Sequence, residues 1–553
     1  MPSMTRKEFL ASATAALLLA KTGSAQDPAQ ANSLEVSLDD IKTLEKMTGA
    51  AFTDEERNGI LNSVRQAARN AGLVRGLGID DQIAPPTPFV PQGRMPSDGS
   101  AVSIRPTGIR PPAKPAKEED LAFMSVLDLG ALIKSRRITS TELTQMYLAR
   151  LKKYGEPLLC LVTLTEDLAL RQAKTADEEI AKGKVRGPLH GIPYGLKDLF
   201  AVPGYPTTWG SEPHRSQRIE TESAVFEKLT QAGAVLVAKL SMGALAQGDV
   251  WFKGRTKNPW NLEQGSSGSS AGSACAAAAG LVGFAIGTET LGSIMSPSHQ
   301  CRVSGLRPTF GRISKHGAMA LSWTMDKVGP ICRTIEDCAL VFAAIAGKDP
   351  RDDSTVQKPF HWRPGMDLKK LRIAYLAGQS DPADRLQQDE YLKALLDMGL
   401  KLDPIRFTAV PAGVNVLLSV EAAAAFDAFT RGDRVRELKN SSWPNTFRTN
   451  RLVSAVDYLA AQRARRKVME TFEKELGDYD LVIANERGGN TLFITNLTGH
   501  PQALIPLKAG ERGQQRSCSV IGRLYEEDKV LAVARAIQMK VGPLAERPDL
   551  SKV

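Results

Sequence analysis

Six cysteines in 553 residues leave little material for a disulfide framework. Cys275, Cys301 and Cys338 stand among apolar or small residues, the setting of buried free thiols, and the sequence assigns no pairing. Equally absent is any group of Cys, His and Asp at metal-ligand spacing, so no metal and no other cofactor is expected. No apolar run reaches the ~18 residues that cross a bilayer, which excludes stable membrane insertion. There is no zinc-finger spacing, stacked aromatic motif or helix-turn-helix signal. The formal charge of +10 therefore does not imply a nucleic-acid partner. Basic residues are scattered among acidic ones, and the cluster Arg463-Ala464-Arg465-Arg466-Lys467 reads as the solvated face of a helix.

What is present is ordinary for a soluble chain with a sizeable core: 42% hydrophobic and 24% charged residues. Residues 1–25 read as a cleaved bacterial signal peptide. Arg6 and Lys7 form a basic start, Phe9 to Ala20 is apolar, and Gly23-Ser24-Ala25 offers a cleavage site. Thr5-Arg6-Lys7-Glu8-Phe9-Leu10 resembles a twin-arginine export motif with Lys as its second basic residue, so a periplasmic or secreted location is expected. Residues 26–83 form an N-terminal helical segment, with Ser37 capping one helix and Thr53-Asp54-Glu55-Glu56 a capping box for a second that ends near Gly72. Residues 84–118 carry nine prolines and read as a linker or a strap over the surface.

From residue 119 to 547 short apolar strands alternate with helices. Strand-like runs include 159–165, 234–238, 371–376, 480–484, 503–506 and 518–521, and helical ones 141–153, 224–231, 334–346, 453–475 and 527–541. That alternation predicts one large α/β domain whose sheet is covered by helices on both faces.

Residues 264–293, QGSSGSSAGSACAAAAGLVGFAIGTETLGS, admit three readings. A Gly/Ser linker is disfavoured by Ala271 to Leu281, which predicts a helix with a small-residue packing face. Gly268-Ser269-Ser270-Ala271-Gly272 matches the G-x-S-x-G elbow of α/β-hydrolase esterases, with Ser270 as nucleophile and His500 as its base. That elbow needs a preceding buried strand, and Asn258-Pro259-Trp260-Asn261-Leu262-Glu263-Gln264 does not look like one.

The third reading rests on several motifs in order. Gly268-Ser269-Ser270-Ala271-Gly272-Ser273, Gly287-Thr288-Glu289-Thr290-Leu291-Gly292-Ser293 and Gly191-Ile192-Pro193-Tyr194-Gly195-Leu196-Lys197-Asp198 resemble the core of the amidase signature family. Cys301, Gly305 to Arg312, Asp326, Gly329-Pro330 and Thr495 to Pro501 continue the likeness, over roughly residues 120 to 540. The resemblance implies that family's mixed sheet and a Ser-Ser-Lys triad of Lys197, Ser269 and Ser293. Two serine pairs compete for the relay position. Ser269 lies 24 residues before Ser293, the family's separation, so Ser266 and Ser267 are expected to be loop.

The implied chemistry suits these residue types. A serine hydroxyl needs a base, and Lys197 can be one only if its pKa falls far below ~10.4. Burial among Ile192, Leu196, Leu199 and Phe200 would do that. Asp198 should point to the opposite face. Ser293 would attack an amide carbonyl, and the backbone of Thr290, Leu291, Gly292 and Ser293 would hold the oxyanion. Gly268, before a cis peptide at the relay serine, and Ser270 are supporting positions. Leu291 replaces a family glycine and is tolerated only with negative φ. Glu289 and Met295 also depart, from Asp and Arg. The expected substrate is a small-molecule or peptide amide, its pockets drawn from residues 350 to 490. Monomer and homodimer remain open. The alternatives are a glutaminase-like amidotransferase subunit, the Ser270 esterase and a non-catalytic binding protein.

Overall fold

A computed structural model describes residues 36–77 and 102–553, apart from 378–385, 387, 440, 487, 489, 490, 543 and 544. The expected signal peptide and the proline-rich stretch from 84 to 101 lie outside the described residues. Helix α1 (Leu38–Thr48) is capped by Ser37 and α2 (Asp54–Arg75) by Thr53, each with a reciprocal capping box. Helix α2 does not stop at Gly72. A glycine inside a helix costs about 1 kcal/mol, less than burying Val74 against Val414 and Leu417 returns. The pair docks on the C-terminal half, where Glu56 reaches Arg448 at 2.5 Å and Arg436 at 3.0 Å. Residues 102–118 run along the surface, none of them buried, and Val102–Ile104 pairs in parallel with Phe360–Trp362.

The body is one eleven-stranded mixed sheet. Its strands are β1 (Leu161–Leu164), β2 (Pro193–Lys197), β3 (Val235–Leu240), β4 (Phe284–Glu289), β5 (Ser304–Arg307), β6 (Lys327–Cys332), β7 (Ile373–Leu376), β8 (Leu402–Ile405), β9 (Leu481–Asn485), β10 (Gln502–Pro506) and β11 (Ser517–Gly522). They lie in the order β8-β7-β9-β11-β10-β5-β6-β4-β2-β3-β1. Strand β2 runs parallel to both β3 and β4, whereas β4 pairs antiparallel with β6. Alternate residues enter separate apolar cores: Leu236 packs in one, Val235 and Val237 in another. Both faces are thus covered, as the near-continuous apolar strands predict.

Helix α3 (Ala271–Ala278) is buried along its whole length. It stops short of Leu281 because the amides of Gly280 and Leu281 turn back to the carbonyls of Ala277 and Ala276, a Schellman closure. Ahead of the serines, Lys257–Asn258 and Asn261–Gly265 form a small hairpin, largely solvent-facing, rather than a buried strand. All six cysteines are buried free thiols. Among the described residues, no helix is long and apolar enough to cross a membrane.

Candidate active site

Lys197 is the last residue of β2, a strand buried at every position. Its Nζ lies 2.8 Å from Ser269 Oγ, 3.1 Å from Ser270 Oγ and 2.8 Å from Thr288 Oγ1. All its close partners are neutral oxygens. Burial therefore pulls the ammonium down to a pKa of about 7, although the charges of Asp326 and Glu289 act the other way. A lysine with that pKa is substantially neutral at neutral pH and can accept a proton.

Ser269 follows the cis peptide Gly268-Ser269. Gly268 allows no side chain, because a Cβ there would sit 1.8 Å from the Gly248 carbonyl oxygen. The earlier pair lies in loop: the Ser266 hydroxyl donates to the Ser267 carbonyl and the Ser267 amide to Asp249. Ser293 sits on the turn after β4, its carbonyl accepting a hydrogen bond from the Ser270 amide at 3.2 Å. Exposure rises from 0% at Lys197 through 1% at Ser269 to 9% at Ser293. All three expected residues are buried; Lys197 is hydrogen-bonded to Ser269, and Ser293 is tied to the neighbouring Ser270 through the backbone.

The turn itself is suited to an oxyanion. Among the described residues the amides of Leu291, Gly292 and Ser293 donate to no protein acceptor. Leu291 avoids positive φ while Gly292 takes it at 85°, so the leucine is accommodated, with its side chain 40% exposed. Glu289 braces the turn from below. One carboxylate oxygen accepts the amides of Ile294 and Met295 at 2.8 and 2.9 Å, and the other accepts from Arg307 at 2.7 Å and Asn496 at 2.8 Å. Burial would raise this carboxyl, but the Arg307 guanidinium and these hydrogen bonds hold it below the usual carboxylate range. Thr290 Oγ1 donates to Asp326 at 2.5 Å, fixing the other side of the turn.

Ser270 has different partners. Its hydroxyl contacts Lys197, donates to the Thr288 carbonyl at 3.0 Å and accepts the Thr288 amide at 3.1 Å. His500 is buried elsewhere, between Glu473 at 2.7 Å and Thr498 at 2.8 Å. The elbow pairing of Ser270 with His500 therefore has no counterpart in the fold. Asp198 turns away from Lys197 as expected and pairs with Lys239 at 2.7 Å. Thr288 is a partner that sequence reasoning misses, although it lies within the Gly287-to-Ser293 motif. Its hydroxyl alone among that motif's side chains shares Lys197 with the serines.

A cavity of about 300 Å³ opens beside Thr288 and Thr290. Its apolar wall includes Met319, Leu321 and the half-exposed Trp323. Residues 315–328 supply most of the lining and only 351–353 come from the segment expected to build pockets; Thr288 and Thr290 line it, whereas Lys197, Ser269 and Ser293 do not.

A family model described as Amidase matches residues 142–489. A glutamyl-tRNA(Gln) amidotransferase subunit from Methylococcus capsulatus is 32% identical over 474 residues, covering 75% of this chain and 96% of that one. The native peptide amidase of Stenotrophomonas maltophilia is similar in structure, with a TM-score of 0.67, 26% identity, and coverage of 77% of this chain and 98% of its own. An amidase family protein from Bacillus anthracis shares the fold at a TM-score of 0.70 and 24% identity, over 78% of this chain and 94% of its own.

Proposed function

The chain belongs to the amidase signature family, and from that premise we propose that it is an exported amidohydrolase cleaving a carboxylic amide C–N bond through an acyl-enzyme on Ser293. Neutral Lys197 takes the Ser269 proton as Ser269 takes that of Ser293, whose oxygen attacks the carbonyl. The carbonyl oxygen becomes an oxyanion facing the free amides of Leu291 to Ser293, each donor contributing about 3 kcal/mol to the barrier reduction. On collapse the C–N bond breaks, and the proton held by Lys197 returns through Ser269 to the departing amine. Water then repeats the sequence on the acyl-enzyme, releasing the acid and restoring Ser293.

The observation that carries this reading is a buried lysine surrounded by hydroxyls and lacking a carboxylate partner. A lysine kept for structure would be paired. Incubation of the purified chain with a simple amide and hydroxylamine tests it. Release of amine with hydroxamate formation is expected, because hydroxylamine intercepts the acyl-enzyme. Failure of the chain alone to release amine would reject it.

A second reading is favoured by the 32% identical relative, which is named for amidotransferase function. On that reading the chain would act on glutamine and require a partner, so turnover of non-glutamine amides by the chain alone separates the two. Export rests on the basic and apolar pattern of residues 1–25; recovery of the chain from its host with residues 1–25 intact would contradict cleavage.

A further inference from the structure

Lys327, the first residue of β6, is a buried lysine that the proposed reaction does not use. It lines the same cavity as Thr288 and Thr290. Its Nζ has one hydrogen-bond partner among the described residues, the Met325 carbonyl, and no carboxylate pairs with it. An ammonium carries three donors, so two find no partner among the described residues.

The neighbouring charges are committed to other partners. Glu289, opposite Lys327 across the β4–β6 ladder, is held by Arg307 and Asn496. Asp326 accepts from Thr290 and from the amides of Leu321 and Ser322. Arg465 is engaged by Thr324 and the Leu497 carbonyl. At the mouth, Lys315 is paired with Asp352, and Arg351 with Asp349 and Glu227. Lys327 thus lines the cavity without a counter-ion. Burial, helped by Arg307, drives its ammonium well below the ordinary lysine range, although Glu289 and Asp326 oppose that shift. An anion entering the cavity would restore the charge and fill the idle donors.

We propose that Lys327 receives a carboxylate of the substrate, so that the preferred substrates are amides bearing a second, anionic group within one cavity's length of the scissile bond. This rests on the amidohydrolase reading. A monocarboxylate is matched to a single cation, whereas a dianion such as a phosphate monoester would be repelled by Asp326. The volume of about 300 Å³ suits a short diacid chain or a benzoate.

The test uses matched acids and methyl esters: the mono-4-nitroanilides of succinic and glutaric acid for the acyl side, and 4-acetamidobenzoate for the amine side. At least one acid is expected to exceed its ester by about tenfold or more in kcat/KM, mainly through KM, as for a charge-assisted hydrogen bond. In Lys327→Met that ratio should collapse toward one, with Lys327→Gln as a second variant should the first misfold. Ratios near one for all wild-type pairs, or an unchanged ratio in the folded variant, overturn the proposal. Calorimetric titration with glutarate and benzoate needs no turnover. Saturable binding by wild type that is lost in the variant supports the carboxylate site, and no binding overturns it. Hydrolysis of the esters without any acid preference would leave the amidohydrolase reading standing and remove this one. Absence of all hydrolysis, with carboxylate binding intact, would reject the amidohydrolase reading and with it the substrate preference, leaving only the carboxylate site at Lys327.

Discussion

Lys197 and Lys239 stand on adjacent parallel strands, one register step apart, and both are fully buried. Lys239 meets Asp198 at 2.7 Å and is further held by the Pro206 carbonyl and Thr207 Oγ1. Lys197 meets only neutral oxygens, and its ammonium falls to about 7. Burial alone thus does not make a base. A buried lysine beside a carboxylate is an ion pair that holds the sheet to the loop after β2. A buried lysine among hydroxyls gives up its proton readily and can take one from serine.

Exchanging the features of the two sites gives the sharpest tests. Lys197→Ala should lower acylation at neutral pH by about 10⁴-fold or more, the scale for removing one member of a catalytic unit. Retention of most of the rate, measured by active-site labelling, would place the base elsewhere. Lys239→Met should instead act on stability. It leaves Asp198 buried and unpaired, an expected loss of about 3–5 kcal/mol in urea unfolding. Acylation per folded molecule should stay close to wild type, and the double variant with Asp198→Asn should recover part of the stability. Thr288→Asp would give Lys197 the kind of partner Lys239 has. Its pKa should rise by about 2 units, cutting the rate at pH 7 about 50-fold, because the lysine starts half neutral there, and moving the acid limb upward by about 2 pH units. An unmoved limb would mean that the partner does not set the base strength.

The two lysines also mark how far sequence reaches. Apolar flanks nominate Lys197, but Ala238-Lys239-Leu240 is as apolar as the stretch around Leu196-Lys197. Only the motifs with serines 24 residues apart separate the two, and of these serines Ser269 meets Lys197 directly. The Thr53 box, the helix at Ala224–Gln231 and the strands at 480–484 and 518–521 are legible because they depend on local caps and on apolar runs. The brace beneath the nucleophile is not. Glu289 takes its partners from Arg307, 18 residues away, and Asn496, 207 residues away. The role of those contacts exists only once β4, β5 and the helix Thr491–Thr498 meet. For the same reason sequence points to residues 350–490 for the cavity, whereas the loop before β6 supplies most of it.

The central claim is that Lys197, neutral above about pH 7, drives attack by Ser293. Its most direct test is the pH dependence of fluorophosphonate labelling, with the adduct mapped by peptide analysis. The account predicts an adduct on Ser293. The rate should rise tenfold per pH unit below about 7, where Lys197 is protonated, and level off above it as the lysine becomes neutral. An adduct on Ser270, no adduct, or a rate still climbing toward the ordinary lysine value of ~10.4 would contradict it.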